Sequence, residues 1–468
     1  MPYRRLPVVW VVPVLWTWAF GLWGITRQDS LWRDEAATWQ AASRSTGEIW
    51  RMLGNIDVVH GLYYLLMHVL FEWFGASVFT LRLPSVAGIS VAAGCIAVVG
   101  YRLADRWVGP AAGLAFGLLP AVQFQLQEGR SYALVAAGAA VATLLLVNGV
   151  RGRGRWVLYG GVVLVIGLLN WLSLMILAAH LVTLLWCGVG RRVWVRWGVA
   201  GALAVVGVLP LVLFSRSQAQ QVAWIPPLTW GMLIGPAVLV GIGCAGALVD
   251  RPRAGRLSVT AVGLPLLVVP QAGLIGLSLI RPLYMDRYVL FSMLGLALLI
   301  GSSLGAAIRT FSKARGVVLA GVVAMAAVAL LPYSLAKRAP SSRIDDVLAV
   351  ASDVQRLKGP GDAVVFVPSD RRDTQSVSPD AFAGLRDIAL VRGPEESGTL
   401  KGVEAEASRI RDALSVERRV LLVTDAEGVA RPARGARDRA KVAVLERDFR
   451  VVADAQVRGR RVIVFERL

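Results

Sequence analysis

Leu31-Trp32-Arg33-Asp34-Glu35 follows directly on the first long apolar segment of the chain, which runs roughly from Leu6 to Ile25. An adjacent acidic pair just past a membrane span is costly to place near lipid, and residues of this kind are by default functional candidates. Where the pair sits relative to the membrane therefore governs the reading of everything after it. The chain has 468 residues, 56% of them hydrophobic and 17% charged, and a mean hydropathy of +0.59. A soluble domain usually carries about 25% charged residues. The apolar residues also come in long blocks, so the fold class is an α-helical polytopic membrane protein.

A helix needs about 20 mainly apolar residues to cross the bilayer core. About eleven segments qualify, near 7–25, 84–101, 108–124, 132–149, 156–170, 171–188, 198–215, 231–249, 257–279, 288–307 and 316–334. The first is read as a retained signal-anchor helix, since no small-x-small cleavage site follows it. Asn170 and Trp171 mark a turn inside an apolar run too long for one span. Basic residues cluster after alternate spans: Arg102 and Arg106, then Arg151, Arg153 and Arg155, then Arg191, Arg192 and Arg196. Arg251, Arg253 and Arg256 follow, then Arg309, Lys313 and Arg315. With Arg4 and Arg5 at the start, this alternation predicts a cytoplasmic N-terminus. It places Asp34-Glu35, the whole 27–83 loop and the tail on the outer face. The net charge of +19 is accounted for by these loops. No basic stripe with interleaved aromatics suggests a nucleic-acid partner.

The 27–83 segment suits short helices lying in the membrane interface, at Thr46–Leu53 and Leu62–Phe74. From about residue 340 charge becomes dense and long apolar blocks stop. Stretches starting at Asp362, Arg419 and Arg461 read as buried strands, with helices near 402–415 and 434–446 between them. The expected division is a membrane domain over 1–338 and a small α/β extracytoplasmic domain over 339–468 with a parallel or mixed sheet. Cys95, Cys187 and Cys244 all fall in apolar blocks and read as small buried hydrophobes.

Three polar clusters could carry chemistry. Asp34 and Glu35 offer carboxylates at a membrane surface, where an ionised one can act as general base on a hydroxyl. Arg33 beside them would hold the aspartate ionised. Gln127-Glu128-Gly129-Arg130-Ser131-Tyr132 fills a very short outer turn between apolar spans. Arg281 and Arg287 lie in the outer turn before Tyr288, against the inside bias for basic residues, and arginine binds phosphate through paired N–H donors. His60, near Asp57, is a candidate substrate contact. His60 and His68 are eight residues apart, which is weak support for a metal site. His180 reads as a satisfied core histidine, and Gly241-Ile-Gly-Cys-Ala-Gly246 as close helix packing rather than a dinucleotide fingerprint.

The acidic pair, His60-Gly-Leu-Tyr-Tyr64, Arg82-Leu-Pro-Ser85 and Glu128-Gly-Arg-Ser-Tyr-Ala-Leu134 together resemble bacterial GT-C glycosyltransferases. The group resembled includes the protein O-mannosyltransferases and the aminoarabinose transferase acting on lipid A. The resemblance is strongest over about residues 27–150, and the Asp286-Arg287-Tyr288 turn is similar to a later Arg-Tyr element of the family. It implies a GT-C-like membrane fold and an inverting transfer from a polyprenyl-phosphate sugar, with no cofactor required and a divalent metal unsupported by any pattern. It gives Asp34 the base role and Glu35 a supporting one. Glu128 takes the second-loop acid position, where many members have Asp. Arg130, Arg281 and Arg287 become contacts for the donor phosphate. Arg33, His60, Tyr63, Arg82, Tyr132 and Tyr288 complete the substrate-binding set.

The expected function is thus a glycosyltransferase of the bacterial plasma membrane, with mannose the favoured sugar and a glycan, lipid or protein acceptor. Two other classes stay open: a transporter or flippase of lipid-linked glycans, and a non-catalytic membrane scaffold. Transporters tend to show related halves and polar groups at the midplane, whereas here the polar clusters collect at loops.

Overall fold

Each of the eleven apolar blocks coincides with a helix or a broken pair of helices in the structure, a computed structural model that describes residues 6–250, 255–311, 314–433 and 435–468. Arg4, Arg5, Arg251, Arg253 and Lys313, expected to flank spans, lie outside the described residues. The chain packs as two units, Met1–Ile25 with Arg82–Leu335 and Thr26–Leu81 with Ala336–Leu468. This differs from the expected division in one respect. The 26–81 segment groups with the tail, not with the membrane helices.

Among the described residues, six helices are long and apolar enough to cross a membrane: Val78–Leu103, Tyr132–Val150, Arg191–Ser215, Trp230–Val249, Val259–Ile280 and Asp286–Arg309. Shorter apolar helices, among them Val108–Leu118, Trp156–Leu169 and Trp171–Cys187, fill the remaining expected positions. They are short for identifiable reasons. Val108–Leu118 stops before Pro120, which opens the next helix, Pro120–Leu126, because a residue preceding proline is driven out of helical geometry. Arg315–Ala329 and Leu331–Lys337 meet at 54°, where Pro332 has no backbone N–H to continue the ladder of the preceding helix. Small residues let the helices approach closely. A Cβ on Gly301 would stand 2.7 Å from the Ala112 backbone nitrogen, and one on Gly246 would stand 2.9 Å from the Leu299 carbonyl oxygen. His180 has a partner at each ring nitrogen, Tyr159 Oη at 2.8 Å and Thr143 Oγ1 at 3.2 Å. Trp197 donates to the same tyrosine oxygen at 3.0 Å, so this buried polar group is satisfied.

The second unit holds seven strands: β1 (Ala363–Val367), β2 (Arg386–Asp387), β3 (Leu390–Arg392), β4 (Val403–Glu404), β5 (Arg419–Asp425), β6 (Phe449–Val457) and β7 (Arg460–Arg467). The main sheet runs β2-β1-β5-β7-β6, and β3 pairs with β4 apart from it. β1 is parallel to both β2 and β5, and the β5–β7 and β6–β7 pairs are antiparallel. Every residue of β1 is buried, as a strand covered on both faces requires. One face packs Ala363, Val365, Ile410, Leu414 and Val444, and the other packs Val350, Val354, Val364, Phe366 and Phe382. The alternation of those positions along β1 sends successive side chains to opposite layers.

Helix Val347–Leu357 is started by Asp346, whose carboxylate accepts from the amides of Leu348 at 3.2 Å and Ala349 at 3.1 Å. Burial, and the neighbouring Asp345 carboxylate, raise its pKa despite those bonds. Loss of such a cap costs about 0.5–2 kcal/mol. Asp346→Ala is expected to lower the unfolding free energy by that amount in chemical denaturation, with Asp346→Ser recovering most of it.

Candidate functional site

The acidic pair lies in the second unit, at the first turn of helix Arg33–Ala42. Negative charge is favoured there by the helix dipole and its unsatisfied amides. The two carboxylates have different surroundings. Asp34 is half-buried. Glu35 is fully buried and pairs with Arg27, also fully buried, at 2.8 Å. Arg27 itself sits in a run of three left-handed residues, Arg27, Gln28 and Asp29, with φ of 49°, 57° and 58°. None is glycine, and such backbone typically costs about 1–3 kcal/mol per residue. The turn before the acidic pair is therefore held in shape by the surrounding structure.

Arg33 is directed to a different carboxylate. Its guanidinium faces Asp345 at 3.5 Å rather than the Asp34 carboxylate, and its amide donates to Asp345 Oδ1 at 3.1 Å. Asp345 in turn accepts from Arg460 at 2.9 Å, and Arg460 also holds Asp373 at 2.6 Å. Arg460 is fully buried. Burial would lower its pKa, but the Asp373 and Asp345 carboxylates outweigh that and raise it. The Val347 amide donates to the Leu31 carbonyl at 2.6 Å. Arg44 donates to the Thr399 carbonyl at 2.6 Å and Asn55 to that of Gly398 at 3.2 Å. The acidic turn is thus anchored by residues far along the chain. Arg27, Asp345, Asp373 and Arg460 carry this anchoring, and none had been singled out as a functional residue from sequence.

Helix Gly61–Phe74 packs on Arg33–Ala42 and brings its own polar groups. Tyr64 donates to Asp57 at 2.8 Å, and the His60 ring lies against Tyr64 with centroids 5.8 Å apart. His68 is held elsewhere, with Nδ1 3.0 Å from the Ala42 carbonyl and Nε2 3.5 Å from Glu72. Tyr63, expected as a substrate contact, is fully buried.

The first unit holds the other cluster. Ser85 Oγ donates to the Glu128 carbonyl at 2.5 Å, and the Arg130 amide donates to the same carbonyl at 2.8 Å. Gln127 ties the turn to the first span, donating to the carbonyls of Gly21 at 2.8 Å and Trp23 at 2.7 Å. Arg82 is fully buried and donates to the Ile25 carbonyl at 2.8 Å. Helix Tyr132–Val150 meets the 3-10 turn Asp286–Ser292. There Arg287 stacks over Tyr132 at 5.7 Å, and the Tyr132 and Tyr288 rings are 5.9 Å apart. Glu128, Arg130, Tyr132, Arg287 and Tyr288 therefore belong to connected elements. Glu128 is 2% exposed, so its carboxylate is enclosed by protein. Arg281 departs from the group: it is exposed and donates to the Ala219 carbonyl at 3.2 Å.

No protein-family model matches the chain, and no curated protein matches it. Solved structures do. ArnT from Cupriavidus metallidurans in the apo state matches with a TM-score of 0.56 at 14% identity, over 91% of this chain and 93% of that one. The same protein bound to undecaprenyl phosphate gives 0.55 at 13% identity, over 98% and 97%. The apo oligosaccharyltransferase of Archaeoglobus fulgidus gives 0.53 at 10% identity, over 90% of this chain and 70% of that one. These likenesses show the fold: the chain has the GT-C glycosyltransferase fold.

Proposed function

We propose that the protein is a polyprenyl-phosphate-dependent glycosyltransferase, multi-pass in a bacterial plasma membrane, with its acidic turn and tail on the outer face. The observation that carries this reading is a half-buried Asp34 at a helix start, beside a Glu35 locked by Arg27, within a GT-C fold. ArnT binds undecaprenyl phosphate in one solved structure. The archaeal oligosaccharyltransferase AglB binds a dolichol-phosphate and an inhibitory peptide in another. These support a lipid-linked donor here.

Asp34 is the general base. It takes the proton of the acceptor hydroxyl as that oxygen forms its bond to the anomeric carbon. The bond from that carbon to the phosphate oxygen breaks, and polyprenyl phosphate leaves with the electron pair. One displacement inverts the configuration. The leaving phosphate is stabilised by guanidinium donors aimed at its developing charge, and Arg287 and Arg130 take that role. Glu128, Arg82 and Tyr63, all buried, act as positioning residues. His60 and the Tyr132–Tyr288 pair contact substrate. Mannose is the favoured sugar.

Purified protein given undecaprenyl-phosphate mannose, glucose and aminoarabinose in turn is expected to release undecaprenyl phosphate from one of them, with a new glycosidic bond on the acceptor. Movement of labelled sugar-lipid across vesicles without bond formation would instead make it a transporter. Arg287→Ala is expected to lower kcat/KM for the donor by about tenfold or more, with the fall in kcat, since hydrogen bonds to charged groups contribute about 1.5–3 kcal/mol and this one strengthens as the phosphate leaves. Arg287→Lys should recover part of that loss as a point charge.

A further inference from the structure

Five arginines converge on one cleft of about 590 Å³ in the first unit: Arg102, Arg106, Arg151, Arg309 and Arg315. They come from separate helix ends. Arg102 closes Val78–Leu103, Arg151 follows Tyr132–Val150, Arg309 closes Asp286–Arg309, and Arg315 opens Arg315–Ala329. The cleft has one carboxylate, Asp105. That carboxylate is already engaged by Arg309 and by the amides of Trp107 at 2.8 Å and Val108 at 3.1 Å. The other partners are neutral. Arg102 donates to the Asn148 side chain, Arg151 to the Arg102 carbonyl, and Arg106 stacks over Trp107 at 5.2 Å. Among the described residues most of this positive charge is therefore uncompensated, on side chains held close by ordered helix ends. Like charges brought together in this way repel unless an anion joins them.

We propose that this cleft binds a phosphate ester, and that its source is the headgroup of an anionic phospholipid. Guanidinium forks match phosphate oxygens in pairs. Basic pockets between membrane helices bind lipid headgroups, and tryptophan favours the same depth. The apolar flank agrees: Phe311 and Val317, next to Arg309 and Arg315 in sequence, are 51% and 77% exposed, as side chains alongside acyl chains would be. The site is separate from the residues proposed for transfer, and its occupancy does not depend on that reaction.

The test uses the full-length protein in detergent with equimolar phosphatidylglycerol and phosphatidylcholine, reading bound lipid by native mass spectrometry. Wild type is expected to retain phosphatidylglycerol preferentially. Arg106→Gln with Arg151→Gln, at two exposed positions, should reduce that retention by on the order of tenfold or more, at about 1 kcal/mol per basic residue. Arg191→Gln with Arg192→Gln, equally exposed and at another loop, should leave it unchanged. Equal losses in both pairs would assign the effect to diffuse surface charge and overturn the site, as would no loss in the first pair. A separate arm adds inorganic phosphate in excess. Displacement of the lipid by phosphate alone would overturn the lipid as the source and leave a site for free phosphate.

Discussion

Protein carrying Asp34→Asn is expected to lose sugar transfer by about 10²–10⁴-fold, the usual contribution of a positioned general base, while keeping its fold. Asparagine preserves the shape and can still accept from amides at a helix start. The helix-dipole contribution it gives up is only about 0.3–1 kcal/mol. Asp34 is half-buried, and the neighbouring Arg33 guanidinium is engaged by Asp345. The expected signature is therefore a fall in kcat with thermal unfolding nearly unchanged. Asp34→Glu supplies a second reading of the same role. It keeps a carboxylate but moves it by about one methylene, and misplacement on the order of 1 Å can cost about 10²-fold. Activity above that of the asparagine variant and below wild type is expected. Turnover undiminished in Asp34→Asn would move the base to another residue.

What could be read from the sequence follows from the range over which each signal acts. Apolar runs such as 198–215 and 257–279 report themselves, because lipid solubility is a property of the run alone. The strands at 362–367 and 419–424 are similarly legible, as uninterrupted apolar stretches bounded by charge. The breaks at Pro120 and Pro332 fall inside 108–124 and 316–334, each read as one span, because an apolar run reports its solubility in lipid and not its continuity as a helix. The grouping of 26–81 with the tail was not legible. It depends on Asp345, Asp373 and Arg460, which are more than 300 residues from the turn they hold, and no single-chain pattern marks such pairs. Arg27 was missed for a related reason. A left-handed turn is normally announced by glycine or asparagine, and here three ordinary residues adopt it. The second-turn cluster was partly legible: Glu128 to Tyr132 stood out as polar residues in an apolar setting, while the Arg287 stacking on Tyr132 had to be seen in the structure.

Glu35 carries the larger expected effect on stability of the acidic pair. Its carboxylate and the Arg27 guanidinium are both fully buried at 2.8 Å, so removing either charge takes a charged partner from the other inside the protein. Breaking such a pair typically costs about 3–5 kcal/mol. Glu35→Gln and Arg27→Met are each expected to lower the unfolding free energy by that much, a far larger effect on stability than Asp34→Asn. Removing both charges at once, as Arg27→Met with Glu35→Met, should cost less than either single change, since burying an apolar pair is often neutral relative to a buried ion pair. That double variant also separates two roles for Glu35. If Glu35 shared the acceptor proton, the stable double variant would fall as far in kcat as Asp34→Asn. A positioning role, acting through the strained Arg27–Asp29 turn on the placement of Asp34, predicts a smaller fall in kcat, an unchanged pH profile and a raised KM for the acceptor. The buried geometry of the pair favours the positioning outcome, because this carboxylate is already committed to a guanidinium inside the protein.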